Sequence, residues 1–116
     1  MFFTPSIQNV TAQQIAPRLQ QGDANLVVID VREVGEHRQA HIPNTALIPM
    51  HLLPMRFQEI PRDKEVVLYC RSGARSAQAT AWLNAQGFDN VSNLAGGIMA
   101  WPFEIERGEN SVSLSA

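Results

Sequence analysis

Leu26-Val27-Val28-Ile29-Asp30-Val31 is an almost unbroken run of apolar, mainly β-branched residues. A run without polar alternation is the pattern of a central parallel strand covered on both faces. Val66-Val67-Leu68-Tyr69 has the same character, and Ala46-Leu47-Ile48 and residues 91–94 are shorter strand candidates. Residues 33–39, 51–59 and 76–86 between them suit helices. The βαβα order predicts an α/β fold, a three-layer α/β/α domain around a central, mostly parallel sheet of four to five strands. Ligands are then expected where strands end and helices begin.

Upstream, a short apolar segment over 7–10 precedes Thr11, which with Gln14 three residues on forms a capping-box signature. It predicts a helix ending near Gly22. Pro17 falls inside it and, at about 3 kcal/mol for an interior proline, predicts a kinked or shortened helix. Residues 108–116 are small and polar, the composition of a loose tail.

The length of 116 residues suits one domain with a single core. Apolar residues make up 45% of the chain and charged residues 17%, which sets it apart from disordered chains. A net charge of −2 with scattered basic residues carries no footprint for nucleic acid or an anionic membrane. Met1-Phe2-Phe3-Thr4-Pro5 lacks a basic leader, and no stretch reaches the roughly 20 apolar residues of a membrane span. A cytoplasmic location is the expectation. His37 and His51 have no ligand-spaced companions, so no metal site is expected, and His41 reads as a turn or packing histidine.

The single cysteine excludes an internal disulfide and leaves an inert core thiol or a reactive one. A core-filling cysteine sits inside an apolar run. Cys70 instead ends one, and is followed by Arg71-Ser72-Gly73-Ala74-Arg75 and the alanine-rich stretch from Ser76. At a strand-to-helix turn, backbone N–H groups without a helical partner converge and, with the helix dipole, favour an anion. Gly73 allows the loop to curl, and Arg71 and Arg75 add positive charge to its rim, where guanidinium groups match the oxygens of a sulfonate-like anion. A thiol held this way should ionise readily and act as a nucleophile without a neighbouring base. Arg75, at the helix start, has the alternative of turning outward or pairing with an acid.

Cys70-Arg71-Ser72-Gly73-Ala74-Arg75-Ser76 resembles the active-site loop of the single-domain rhodaneses. Three more segments resemble that family in order and spacing: Asp30-Val31-Arg32 with Glu36, Ala40-His41-Ile42-Pro43-Asn44-Thr45-Ala46, and Leu94-Ala95-Gly96-Gly97 with Trp101. Together they cover roughly residues 7–103. Ala40 and Asn44 stand where the family has glycines. Asn tolerates a left-handed backbone, whereas Ala40 would force a local change if a positive φ were needed there.

What the resemblance implies is a sulfurtransferase working by double displacement. Cys70 would take the outer sulfur of thiosulfate or a related donor as a persulfide, and a thiol or cyanide acceptor would remove it. Residues 71–76 would hold the substrate, and neither metal nor organic cofactor would be needed. Asp30 and Arg32 would be supporting residues, with an internal salt bridge as their alternative role. Gly96, Gly97 and Trp101 would shape the closing turn. One rival is a carrier module served by a dedicated donor in a protein sulfur relay. Another is a cysteine phosphatase or arsenate reductase, but cysteine phosphatases carry their loop Arg where Ser76 stands, so Arg75 is one residue too early.

Overall fold

A computed structural model describes residues 6–114; the first five residues, inspected above for a leader, and the last two lie outside the described residues. The strands are β1 (Asn9–Val10), β2 (Leu26–Asp30), β3 (Ala46–Leu47), β4 (Glu65–Tyr69) and β5 (Val91–Leu94). They form one sheet in the order β1-β5-β4-β2-β3, and every pairing is parallel. The principal helices are α1 (Ala12–Gln20), α2 (Val34–Gln39), α3 (Leu53–Arg56) and α4 (Ala74–Ala85).

Both faces of the sheet are covered, as the apolar runs require. Val28, Val67, Tyr69 and Leu94 pack with Ala12, Ile15, Ala16 and Leu19 of α1 on one face. Ile29, Val31, Val66 and Leu68 pack on the other with Leu53, Ala79, Leu83 and Phe88. Each fully buried Val, Leu or Ile side chain here contributes roughly 1.5–3 kcal/mol.

Helix α1 opens on the expected capping box, with Thr11 and Gln14 bonded reciprocally, and runs on through Pro17. Burial of Ile15, Ala16 and Leu19 outweighs the hydrogen bond lost at the proline. The helix expected over 51–59 is instead broken into a 3-10 turn (Met50–Leu52), the single turn of α3 and a second 3-10 turn (Phe57–Glu59). Pro54 in the first turn of α3 has no N–H to continue an earlier helix. Of the two glycine replacements, Asn44 takes the left-handed backbone at φ 66°. Ala40 is extended at φ −168°, which any residue adopts, so it disturbs nothing.

Residues 108–114 do not trail loosely. The Gly108 N–H donates to the Arg38 carbonyl at 2.8 Å, the Val112 N–H donates to the Thr45 carbonyl at 3.0 Å, and Leu114 packs against the core. These fastenings are chiefly backbone bonds, which polar composition does not reveal.

The sheet sets the place of the site. From β2 the chain leaves through α2 to β3 on one side, and from β4 it leaves through α4 to β5 on the other. The C-terminal ends of β2 and β4 therefore flank the point where strand order reverses, the usual ligand crevice of open α/β sheets. Cys70 follows β4 there, and Arg32 follows β2.

Candidate active site

Tyr69 ends β4 fully buried, and Cys70 follows with its side chain also buried. The chain then turns over residues 71–73, with Gly73 at φ 102°. Helix α4 starts at Ala74, two residues earlier than expected, so the Ser76 N–H falls in its first turn and lacks an intrahelical acceptor. That amide points at the sulfur, with Ser76 N 3.4 Å and Gly73 N 3.1 Å from Cys70 Sγ.

The opposite side of the loop is fixed by the closing turn. Ile98 N–H donates to the Cys70 carbonyl at 2.9 Å and Met99 N–H donates to the Arg71 carbonyl at 3.0 Å. Those carbonyls are thereby occupied by the closing turn. Gly97, at φ 61°, lies so close that a Cβ would stand 2.5 Å from both carbonyl oxygens. Trp101 is buried, and its indole N–H donates to the Glu104 carbonyl at 3.0 Å. Gly97 and Trp101 thus take the shaping role expected of them.

Burial pushes the Cys70 thiol up, but hydrogen bonds from the Ser76 hydroxyl and from the amides of Ser76, Gly73 and Ser72 outweigh it. The net displacement is downward, toward the thiolate. No carboxylate or imidazole hydrogen-bonds the sulfur among the described residues, so the loop itself favours the anion.

The two loop arginines part ways. Arg71 is exposed on the wall of a cleft of about 460 Å³ that it shares with Arg32, Ile98, Met99, Trp101 and Phe103. Arg75 is instead clamped to Glu36 of α2, its two terminal nitrogens 2.9 and 2.8 Å from the two carboxylate oxygens. Of the two roles open to Arg75, binding the substrate anion or pairing with an acid, its guanidinium takes the second, and what it offers the sulfur is charge at a distance. Ser72 and Ala74 complete the turn, and neither places a side chain on the sulfur.

Asp30 and Arg32 form the internal salt bridge. Arg32 Nε and one terminal nitrogen meet the two Asp30 oxygens at 2.9 and 2.7 Å, and that terminal nitrogen also reaches the Ala40 carbonyl at 2.7 Å. The Asp30 carboxylate, fully buried, also meets His37 Nδ1 at 2.8 Å. His37 Nε2 lies 2.9 Å from the Asn110 carbonyl. His41 stacks on His37 at 3.8 Å, with its own nitrogens against the His37 carbonyl and Glu106, a packing role as expected. The pair at the end of β2 therefore holds architecture together.

Asn93 escaped the sequence reading, whereas Ser76 was expected within the loop and adds its hydroxyl to the amide already described. The Ser76 Oγ lies 3.4 Å from Cys70 Sγ and 2.6 Å from Asn93 Oδ1 on β5. The signal was an asparagine, Asn93, buried beside Leu94 in a strand of the central sheet. Among the described residues no group of His, Cys, Asp and Glu could hold a metal ion, and no helix is long and apolar enough to cross a membrane.

Comparison with known proteins agrees with this geometry. The family model for the rhodanese-like domain matches residues 11–103. A sulfurtransferase of Allochromatium vinosum is 44% identical over 95 residues, covering 82% of this chain and 88% of that protein. A rhodanese-like domain protein from Staphylococcus aureus superposes with a TM-score of 0.77 at 29% identity, covering 87% of this chain and 98% of the other. A rhodanese-related protein from Thermoplasma volcanium gives 0.76 at 27% identity, covering 85% and 97%.

Proposed function

The chain belongs to the rhodanese-like domain family, with sulfur transfer as its general chemistry, and from that premise we propose that it transfers sulfane sulfur through a persulfide on Cys70. The observation that carries this reading is the sulfur of Cys70 receiving N–H groups from Gly73 and Ser76 at the mouth of α4. The Cys70 thiolate attacks the outer sulfur of thiosulfate or a related donor. A new S–S bond forms, the donor's S–S bond breaks, and its electron pair leaves on sulfite from thiosulfate or on a thiolate from a persulfide donor. A thiol acceptor, or cyanide in an assay, then attacks the outer sulfur, and the electron pair of the breaking S–S bond returns to Cys70.

Amides that favour one anion favour the other, so a single cradle serves both halves of the cycle. The backbone of the loop over 71–76, with its Ser72, Gly73 and Ser76 amides, holds the substrate sulfur, and Arg71 is the cation that meets the donor's anionic end. Neither half-reaction calls for a metal or organic cofactor. A protein sulfur relay is the natural partner class for such a site.

Mass spectrometry after thiosulfate treatment tests the proposal. One added sulfur is expected, removed by cyanide and absent from Cys70→Ser. Loading only from a cysteine desulfurase would make the chain a dedicated carrier. Hydrolysis of an aryl phosphate by Cys70, without sulfur loading, would replace sulfur transfer by phosphatase chemistry.

A further inference from the structure

Ser76 has one hydroxyl proton and two neighbours that can take it. Cys70 Sγ lies 3.4 Å from the Ser76 oxygen, and Asn93 Oδ1 lies 2.6 Å away on the other side. All three side chains are buried, so solvent does not compete. The Asn93 amide cannot be turned over to change the count. Its nitrogen faces the Gly73 carbonyl at 3.4 Å and Asn9 Oδ1 at 3.1 Å, and a backbone carbonyl accepts only. Oδ1 therefore faces Ser76 as an acceptor, and two oxygens at 2.6 Å require a proton between them.

We propose that Asn93 is a positioning residue: its side-chain carbonyl holds the Ser76 proton while Cys70 carries sulfur, and releases it when negative charge returns to Sγ. In the persulfide the charge sits on the outer sulfur and Sγ is a neutral, weak acceptor, so the hydroxyl stays on Asn93. When an acceptor thiolate attacks the outer sulfur, the S–S bond breaks and its electron pair collects on Sγ. Turning of the Ser76 side chain then draws its oxygen away from Asn93 Oδ1 and toward Sγ, where the hydroxyl is a third donor beside the amides of Gly73 and Ser76. No proton is transferred; one hydrogen bond is exchanged for a stronger one to an anion. The Thr80 hydroxyl, which donates to the Ser76 carbonyl at 2.7 Å, steadies the residue while its side chain turns.

The charged groups around Cys70 are Arg71 beside it, Arg75 of α4 with its partner Glu36 of α2, and Asp30 and Arg32 at the end of β2. None hydrogen-bonds the Ser76 or Asn93 side chain among the described residues. Glu36 is held at about 2 and Arg75 above its usual range, so neither changes charge while the thiol titrates.

The use of this exchange in turnover rests on the persulfide reading, but its test does not. Thiolate absorbance against pH is measured for the unmodified protein, Asn93→Ala, Ser76→Ala and the double variant. Asn93→Ala frees the proton for sulfur, so the Cys70 midpoint should fall by about one pH unit. In the Ser76→Ala background the same change should have no effect. A midpoint that rises or stays put in Asn93→Ala, or falls equally without the hydroxyl, overturns the proposal. Asn93→Leu refills the space if the alanine variant does not fold. The native protein gives a second readout: the Asn93 side-chain carbonyl 13C resonance should move with the Cys70 titration, and an invariant resonance refutes the exchange. Failure of Cys70 to take up sulfur would sink the functional reading and leave these results standing.

Discussion

Arg75 and Glu36 face each other fork to fork, 2.8 and 2.9 Å apart, and join the first turn of α4 to α2. Hydrogen bonding from Arg75 holds the Glu36 carboxyl at about 2, against an ordinary value of 4.5. A carboxylate depressed in the folded state adds stability that is present above its ordinary range and is lost as pH falls through 2. With side chains 40% and 32% exposed, solvent screening limits the pair to about 1 kcal/mol. Denaturant midpoints should therefore favour the native protein over Glu36→Gln at neutral pH, with the difference vanishing toward pH 2.

Arg71 has no hydrogen bond or ion pair to its side chain among the described residues, and it lines the cleft at the loop. Arg71→Ala should raise KM for thiosulfate about tenfold, equivalent to about 1.4 kcal/mol of binding, with kcat and melting temperature nearly unchanged. Steady-state rates at several salt concentrations check this. The native enzyme should weaken its hold on the donor as salt rises, and the variant much less.

Gly97→Ala places a methyl group 2.5 Å from the Cys70 and Arg71 carbonyl oxygens, at a φ of 61° that alanine rarely adopts. A loss of about 2–4 kcal/mol is expected from backbone strain and overpacking. The distorted loop should also lose thiolate at neutral pH, read as slower alkylation of Cys70. Thermal melting and alkylation rates should change together.

Ending the chain after Arg107 removes the Asn110 carbonyl from His37, the Val112 N–H from Thr45 and Leu114 from the core. Stability should fall by about 1–3 kcal/mol, since a buried polar ring nitrogen loses its acceptor. Urea unfolding of the shortened chain checks it; an unchanged midpoint would return these residues to the status of a loose tail.

The fold was legible where burial on both faces leaves a compositional mark. Leu26 to Ile29 and Val66 to Tyr69 are apolar because each side of the sheet is covered, and that pattern needs no long-range knowledge. The strand-to-helix turn at Cys70 was legible for a similar reason, since Gly73 and the alanine-rich stretch punctuate it. What could not be read depends on partners distant in sequence. Arg75 could bind an anion or an acid, and only the approach of α2 brings Glu36 to it. The tail looks loose because its attachments are backbone groups that every residue possesses. Asn93 drew no notice within the strand candidate over 91–94 because its partners come from two distant segments, Asn9 in one and Gly73 and Ser76 in the other.

The attachment of Ile98 and Met99 to the Cys70 and Arg71 carbonyls makes the closing turn a template for the size of the anion cradle. Adding a residue to the loop, as a larger tetrahedral guest would require, would lift those carbonyls out of register with their donors and away from Gly97. Loop and closing turn are thus tied to one another, so a change in the length of the cradle would have to be matched by a change in a segment more than twenty residues further along the chain.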